Sequence, residues 1–185
     1  MADPGPSTPL TVLVMCTANI SRSPMGEALL RRQAALAQLP IEVSSAGFHY
    51  EGEPAAPHAV SVMSAMGLDL SGHRSRIYTP EMVRAADLIV TMERTHARSI
   101  ALDVADVSER VHTIGAAVVG LDGSGDGAVR ERIAELGRSR AASDLLGRGD
   151  DEVDDPYKHG RRRYRRTARE LDRLMAALVA ALARS

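Results

Sequence analysis

The stretch Leu10-Thr11-Val12-Leu13-Val14-Met15 runs directly into Cys16-Thr17-Ala18-Asn19-Ile20-Ser21-Arg22-Ser23-Pro24. Residues 10–15 are apolar with β-branched members, which suits a strand buried on both faces of a parallel sheet. Pro24 fits the first turn of a helix, so the residues after Met15 read as a tight strand-to-helix turn. Such a turn converges backbone N–H groups on one point. The helix behind it aims its positive end at the same place, so a tetrahedral dianion can bind there without a metal. Arg22 adds a planar fork for two phosphate oxygens. The same positive field favours the thiolate of Cys16, and the pattern C-x5-R-S thereby sets a sulfur nucleophile beneath a bound phosphorus atom. A lone cysteine after an apolar strand is otherwise a small buried hydrophobe. Here the preceding strand, the Ser after the Arg and the Pro at the helix start weigh for chemistry.

Outward from this turn, strands are expected over 41–45, 87–92 and 110–114, and helices over 24–38, 56–66, 95–102 and 168–182. In the first helix Met25, Ala28, Leu29 and Leu36 form the apolar side and Glu27, Arg31 and Arg32 the polar one, while Gly67 is placed to stop the second helix. Strands alternating with helices imply one α/β domain, a four-stranded parallel sheet with helices on both faces. Residues 1–9 read as a disordered lead-in. The segment 115–149 opens with Gly120, Gly123, Gly125 and Gly127 in a flexible loop rather than a second phosphate cradle and continues as a helical pattern to Leu146.

At 185 residues, 44% apolar and 25% charged, the chain has material for one sizeable core. With 23 basic against 24 acidic side chains, no global field argues for nucleic acid or an anionic membrane surface. No apolar run nears the ~20 residues of a membrane span, no leader-like segment opens the chain, and a single cysteine permits no internal disulfide; a cytoplasmic location is expected. The basic run from Lys158 to Arg169 reads as a solvated helix start that partly neutralises the acidic cluster Asp150, Asp151, Glu152, Asp154 and Asp155, with a possible bearing on substrate choice. Mutual repulsion within that cluster favours a protonated carboxyl. Pro156 holds Asp155 extended, fit to act as a general acid, a role worth typically ~10² to 10⁴ in rate.

The Cys16–Pro24 loop resembles the C-x-G-N-x-C-R-S-P loop of the low-molecular-weight protein tyrosine phosphatases. Val43-Ser44-Ser45-Ala46-Gly47 is similar to that family's V-S-S-A-G, and Gly67-Leu68-Asp69 through His73-Arg74-Ser75-Arg76 to its G-x-D-x-x-x-H-x-[AS]-R. The segment from Asp87 to Met92 resembles its DLIVTM strand, and Asp155-Pro156-Tyr157 its D-P-Y loop. The likeness covers roughly 10–114 and 150–183, and against that family's spacing the segment 115–149 is an insertion. It implies a flavodoxin-like topology and hydrolysis of protein phosphotyrosine through a cysteinyl phosphate, without cofactor or metal. Cys16, Arg22 and Asp155 are then catalytic, and Thr17, Ala18, Asn19, Ile20, Ser21 and Ser23 complete the phosphate loop. Ser23 bonds the sulfur, although a plain helix cap is its alternative. Asn19, Ser45 and His73 support the loop, and Ile20 and Tyr157 wall the substrate. The implied partner is a phosphotyrosine protein acted on by a monomer, not nucleic acid or membrane.

Several residues depart from the family pattern. Ala18 stands for the usual Gly, at a cost of about 1 kcal/mol if the backbone there is left-handed. Ser21 stands for a second cysteine, Lys158 for a second aromatic, and Phe48-His49-Tyr50 holds no tryptophan. Three alternatives stay open: a protein-arginine phosphatase, whose similar members carry Thr at the Ile20 position; an arsenate reductase coupled to an external thiol; and a phosphate-binding module without turnover.

Overall fold

The computed structural model describes residues 8–147 and 149–184; most of the expected lead-in therefore lies outside the described residues. Strand β1 (Leu10–Met15) pairs in parallel with β2 (Ile41–Ala46), Val12 opposite Val43, and with β3 (Leu88–Thr91), Val14 opposite Val90. Strand β4 (Val111–Thr113) completes the sheet beside β3, giving the order β2-β1-β3-β4. Alternate residues of the central strands feed two cores. Val12, Val14, Leu88 and Val90 pack toward α1 (Arg22–Leu36), α2 (Pro57–Ser64) and α7 (Arg161–Leu182). Leu13, Met15, Ile89 and Val111 pack toward α3 (Pro80–Ala85) and α4 (Arg94–Asp103). Two covered faces explain why these strands are nearly continuous apolar runs. The order reverses at β1 and β3, and the crevice outside their carboxyl ends is where such folds bind ligands; Cys16 and Glu93 both sit there.

Several boundaries moved for identifiable reasons. Helix α1 begins at Arg22, so the guanidinium and Ser23 belong to its first turn, and Leu36, expected on the apolar side, is 74% exposed where the helix ends. Helix α3 was not anticipated; its signal is local, Thr79 accepting from the Met82 N–H ahead of Pro80 in the first turn. Helix α7 starts at Arg161, ahead of position 168, because the buried stripe already includes Tyr164 and Thr167.

In the segment 115–149 the expected helical pattern forms α6 (Val129–Ser139), while the stretch around Gly120, read as loop, belongs to α5 (Ile114–Asp122). Gly120 lies within α5, where a Cβ would stand 2.2 Å from Leu136 Cδ1, and at Gly137 a Cβ would stand 2.0 Å from the Glu109 carbonyl oxygen. These glycines let elements approach closely; of the glycines named, only Gly123, Gly125 and Gly127 border or fill the connection. Arg132, 5% exposed, donates to the carbonyls of Leu121, Ala181 and Arg184 and to Ser124 Oγ. It thereby satisfies orphan carbonyls at the ends of α5 and α7 and stitches α6 to the domain.

Candidate active site

Cys16 directly follows β1 and is 3% exposed. Its Sγ lies 3.0 Å from Ser23 Oγ and accepts, at 3.4 Å, from the Ser23 N–H. Asn19 determines which way that hydroxyl points. Its Oδ1 accepts from the Arg76 N–H at 2.9 Å, so Nδ2 is the donor to Ser23 Oγ (2.8 Å) and Ser45 Oγ (2.9 Å). Ser45 passes its own proton toward Glu27. Ser23 Oγ therefore accepts from Asn19 and has its hydrogen free for the sulfur, where it favours thiolate. Ser21, not Ser23, occupies the cap position of α1, and its hydroxyl meets Tyr164 OH at 3.0 Å instead of capping.

Asn19, with φ 52°, is the left-handed residue of the loop; Ala18 is not among the positive-φ residues, so the cost feared there does not arise. Asparagine tolerates this conformation. His73 Nε2 donates to the Asn19 carbonyl at 2.7 Å, pinning the same residue from outside. Gly47 closes the cradle. A Cβ on it would stand 2.8 Å from the Asn19 nitrogen and 2.9 Å from the Cys16 carbonyl oxygen, so no larger residue fits.

Arg22 is 1% exposed, and its charge is answered on both prongs. Nη1 reaches Glu93 Oε1 (2.5 Å) and the Val153 carbonyl (3.0 Å), while Nη2 reaches Asp155 Oδ2 (3.0 Å) and Thr17 Oγ1 (3.3 Å). Burial works against the Glu93 charge, but the Arg22 guanidinium holds that carboxyl below its usual range. Asp155 Oδ1 accepts from the Tyr157 N–H at 3.0 Å. Asp154 turns the other way, to Arg163 at 2.9 Å and Arg166 at 3.5 Å.

The acidic cluster is thus not a set of repelling neighbours. Asp151 binds Arg94 at 2.6 Å and Thr113, and Glu152 accepts from the Arg94 N–H at 2.8 Å. Burial raises Asp151, yet Arg94 and Thr113 outweigh it and leave the carboxyl below its usual range. Asp151, Glu152, Asp154 and Asp155 each have a cationic or N–H partner, so these four do not simply face one another as the expected repulsion requires.

A cavity of about 140 Å³ opens over the loop, lined by Cys16, Thr17, Ala18, Ile20, Ser21, Arg22 and Asp155, with Tyr157, His49 and Tyr50 at its mouth. Tyr157 and Ile20 stand where a substrate wall was expected. Sequence reasoning missed His49 and Tyr50 as wall residues. Glu93, Glu27 and His96 were missed too, and Arg76 was quoted in a motif without a site role; Glu93 left a signal by directly following the DLIVTM strand, and Glu27 by lying one turn after Ser23. Among the described residues no group of three or more His, Cys, Asp or Glu could hold a metal ion.

The family profile of the low molecular weight phosphotyrosine protein phosphatases matches residues 11–120. The chain belongs to this family. A relative from Ralstonia solanacearum, a probable low molecular weight protein-tyrosine-phosphatase, is 46% identical over 92 residues, 49% of this chain and 60% of its own. The protein-arginine-phosphatase of Bacillus subtilis is 34% identical over 115 residues, 62% of this chain and 76% of its own. Among solved structures, the low molecular weight protein tyrosine phosphatase of T. tengcongensis superposes with a TM-score of 0.72 at 28% identity, covering 92% of this chain and 98% of the other. The chain spans about 60% of the length of the first of these relatives. The C-terminal limit of the family match falls inside α5, so α6, the acid loop and α7 lie beyond it.

One pair of buried rings sets a pH limit on this phosphatase-family fold. His96, 6% exposed, bonds Thr17 Oγ1 at 2.9 Å and stacks on Phe48, and burial pushes it down to about 4. His112, 1% exposed, is likewise pushed down to about 4 by burial, helped by the Arg140 charge. Above pH 6.5 both rings are neutral folded or unfolded. Below it the unfolded chain takes up protons that the folded chain refuses, so stability falls as pH drops toward 4. By pH 5 each ring should cost about 2 kcal/mol relative to pH 8. Urea midpoints at pH 8 and pH 5 check this, and His112→Gln should remove about half the difference. Equal midpoints would show that the rings are not held neutral.

Proposed function

We propose that the protein hydrolyses protein phosphotyrosine through a cysteinyl-phosphate intermediate, with Cys16, Arg22 and Asp155 as its catalytic groups. The observation that carries this is the meeting of Cys16 Sγ, Arg22 and Asp155 around one cavity, with the Ser23 hydroxyl free to donate to the sulfur. The thiolate attacks phosphorus, the bond to the tyrosine oxygen breaks, and Asp155 gives its proton to the departing phenolate. Water then attacks the phosphocysteine with Asp155 as base, releasing phosphate and regenerating the thiolate. Arg22 exchanges Asp155 for phosphate oxygens as substrate binds, while Glu93 and the Val153 carbonyl keep hold of Nη1. The loop N–H groups carry the dianion, with no metal or cofactor in the scheme.

Ile20 with Tyr50 and Tyr157 at the mouth favours an aromatic ring over a guanidinium. A thiol that must stay reduced to work also fits a cytoplasmic location. Purified protein assayed on phosphotyrosine and phosphoarginine peptides tests the reading. Faster turnover of phosphotyrosine is expected; a reversed preference would move the protein to the arginine-phosphatase reading, and no turnover of either would leave a binding module.

A further inference from the structure

Immediately beyond the cavity mouth, the chain turns basic. Lys158, His159, Arg161, Arg162, Arg165 and Arg169 are exposed. Among the described residues none of the six forms an ion pair, though the Lys158 ammonium lies 5.9 Å from the Tyr157 ring. Helix α7 thus opens on three consecutive arginines, with no acidic residue in its first turn and no side-chain cap. That is the unfavourable arrangement for a helix start, where the positive end of the dipole prefers anions. Arg163 and Arg166 are drawn back to Asp154 and wall a groove of about 430 Å³ with His159, Gly160 and Arg162. The charge is local, because the whole chain carries only −1. Its position is specific as well: Tyr157 lines the cavity over Cys16, and Lys158 follows it directly.

Resting on the phosphatase reading, we propose that this surface binds acidic residues flanking the phosphorylated side chain of the substrate protein. An extended peptide advances about 3.3–3.6 Å per residue, so a carboxylate a few positions from the phosphoresidue reaches the start of α7. Nucleic acid is disfavoured because single-strand binders interleave stacking aromatics with their basic residues. Within the stretch 157–169 Tyr164, 2% exposed, is buried, leaving Tyr157 as its exposed tyrosine.

The test compares kcat/KM for phosphotyrosine peptides with Glu-rich, neutral and Lys-rich flanks, beside a small aryl phosphate that has no flank. The acidic peptide is expected to exceed the Lys-rich one by tenfold or more at low salt, with the ratio shrinking as salt rises. Arg161→Glu combined with Arg162→Glu should erase or invert that ratio while leaving aryl phosphate turnover unchanged. A wild-type protein indifferent to flank charge, or a double variant that keeps the preference, overturns the proposal. So does equally salt-sensitive inhibition by single-stranded RNA without any peptide preference. Failure on the aryl phosphate would sink the phosphatase reading alone; fluorescence polarisation of the labelled acidic and Lys-rich peptides then reads the surface directly, and equal affinities overturn it.

Discussion

The Cys16→Ser variant is expected to lose turnover of an aryl phosphate by ~10⁴ or more while still binding phosphate or vanadate. The two halves of that outcome have different structural owners. Binding belongs to the backbone N–H groups of the 17–22 loop and to Arg22, whose guanidinium is fixed by Glu93 and the Val153 carbonyl without help from sulfur. Reaction belongs to the nucleophile. A serine hydroxyl at this position has no general base beside it, since its nearest polar neighbour is the Ser23 hydroxyl, itself a donor toward position 16. The variant should also keep its shape, because the loop is held by Asn19, His73 and Gly47. Burst and steady-state assays with calorimetric vanadate titration measure both halves, and turnover within tenfold of wild type would remove the covalent mechanism.

Asp155→Asn is expected to slow phosphotyrosine hydrolysis by ~10² or more, and to slow a substrate with an acidic leaving phenol far less. Asn cannot protonate the phenolate, and an acidic phenol needs little protonation. The neighbouring acid is the control. Asp154 faces Arg163 and Arg166, away from the cavity, while Asp155 meets Arg22 inside it, so Asp154→Asn should cost little. Losing Asp155 leaves Arg22 with three of its four acceptors, and the phosphate grip should survive. A larger loss from Asp154→Asn, or equal slowing of good and poor leaving groups in the chemical step, would overturn the assignment.

What the sequence made legible was whatever is encoded in contiguous residues. The turn from Met15 to Pro24 carries its own strand, loop and helix start and could be read from one segment, while the parallel sheet was read from strands alternating with helices along the chain. Asp155 stood out in the sequence because it directly precedes Pro156, and the structure sets it against Arg22. Glu93, Glu27 and His96 were not singled out, since each acts through a partner distant in sequence or hidden by helical spacing: Glu93 lies 71 positions from Arg22. Gly120, read as part of a loop, misled for a related reason, and Gly137 shows the same close approach. A glycine that frees a loop and one that admits a neighbouring element look alike in sequence, and only Leu136 and Glu109 tell them apart.

The peptide from Asp151 to Asp155 is secured at every residue. Val153 is 1% exposed, its N–H donates to the Met92 carbonyl at 2.9 Å, and its own carbonyl accepts from Arg22, while the acids on either side hold arginines of α4 and α7. Many enzymes wait for a lid to swing over the substrate before reaction, and that hinge can set their speed. Here the segment bearing Asp155 already lies shut against the crevice, and one guanidinium contact is all that must be exchanged. If the proposed phosphoryl transfer holds, solvent viscosity is therefore expected to leave the bond-making steps at phosphorus unchanged, which single-turnover rates in added glycerol check.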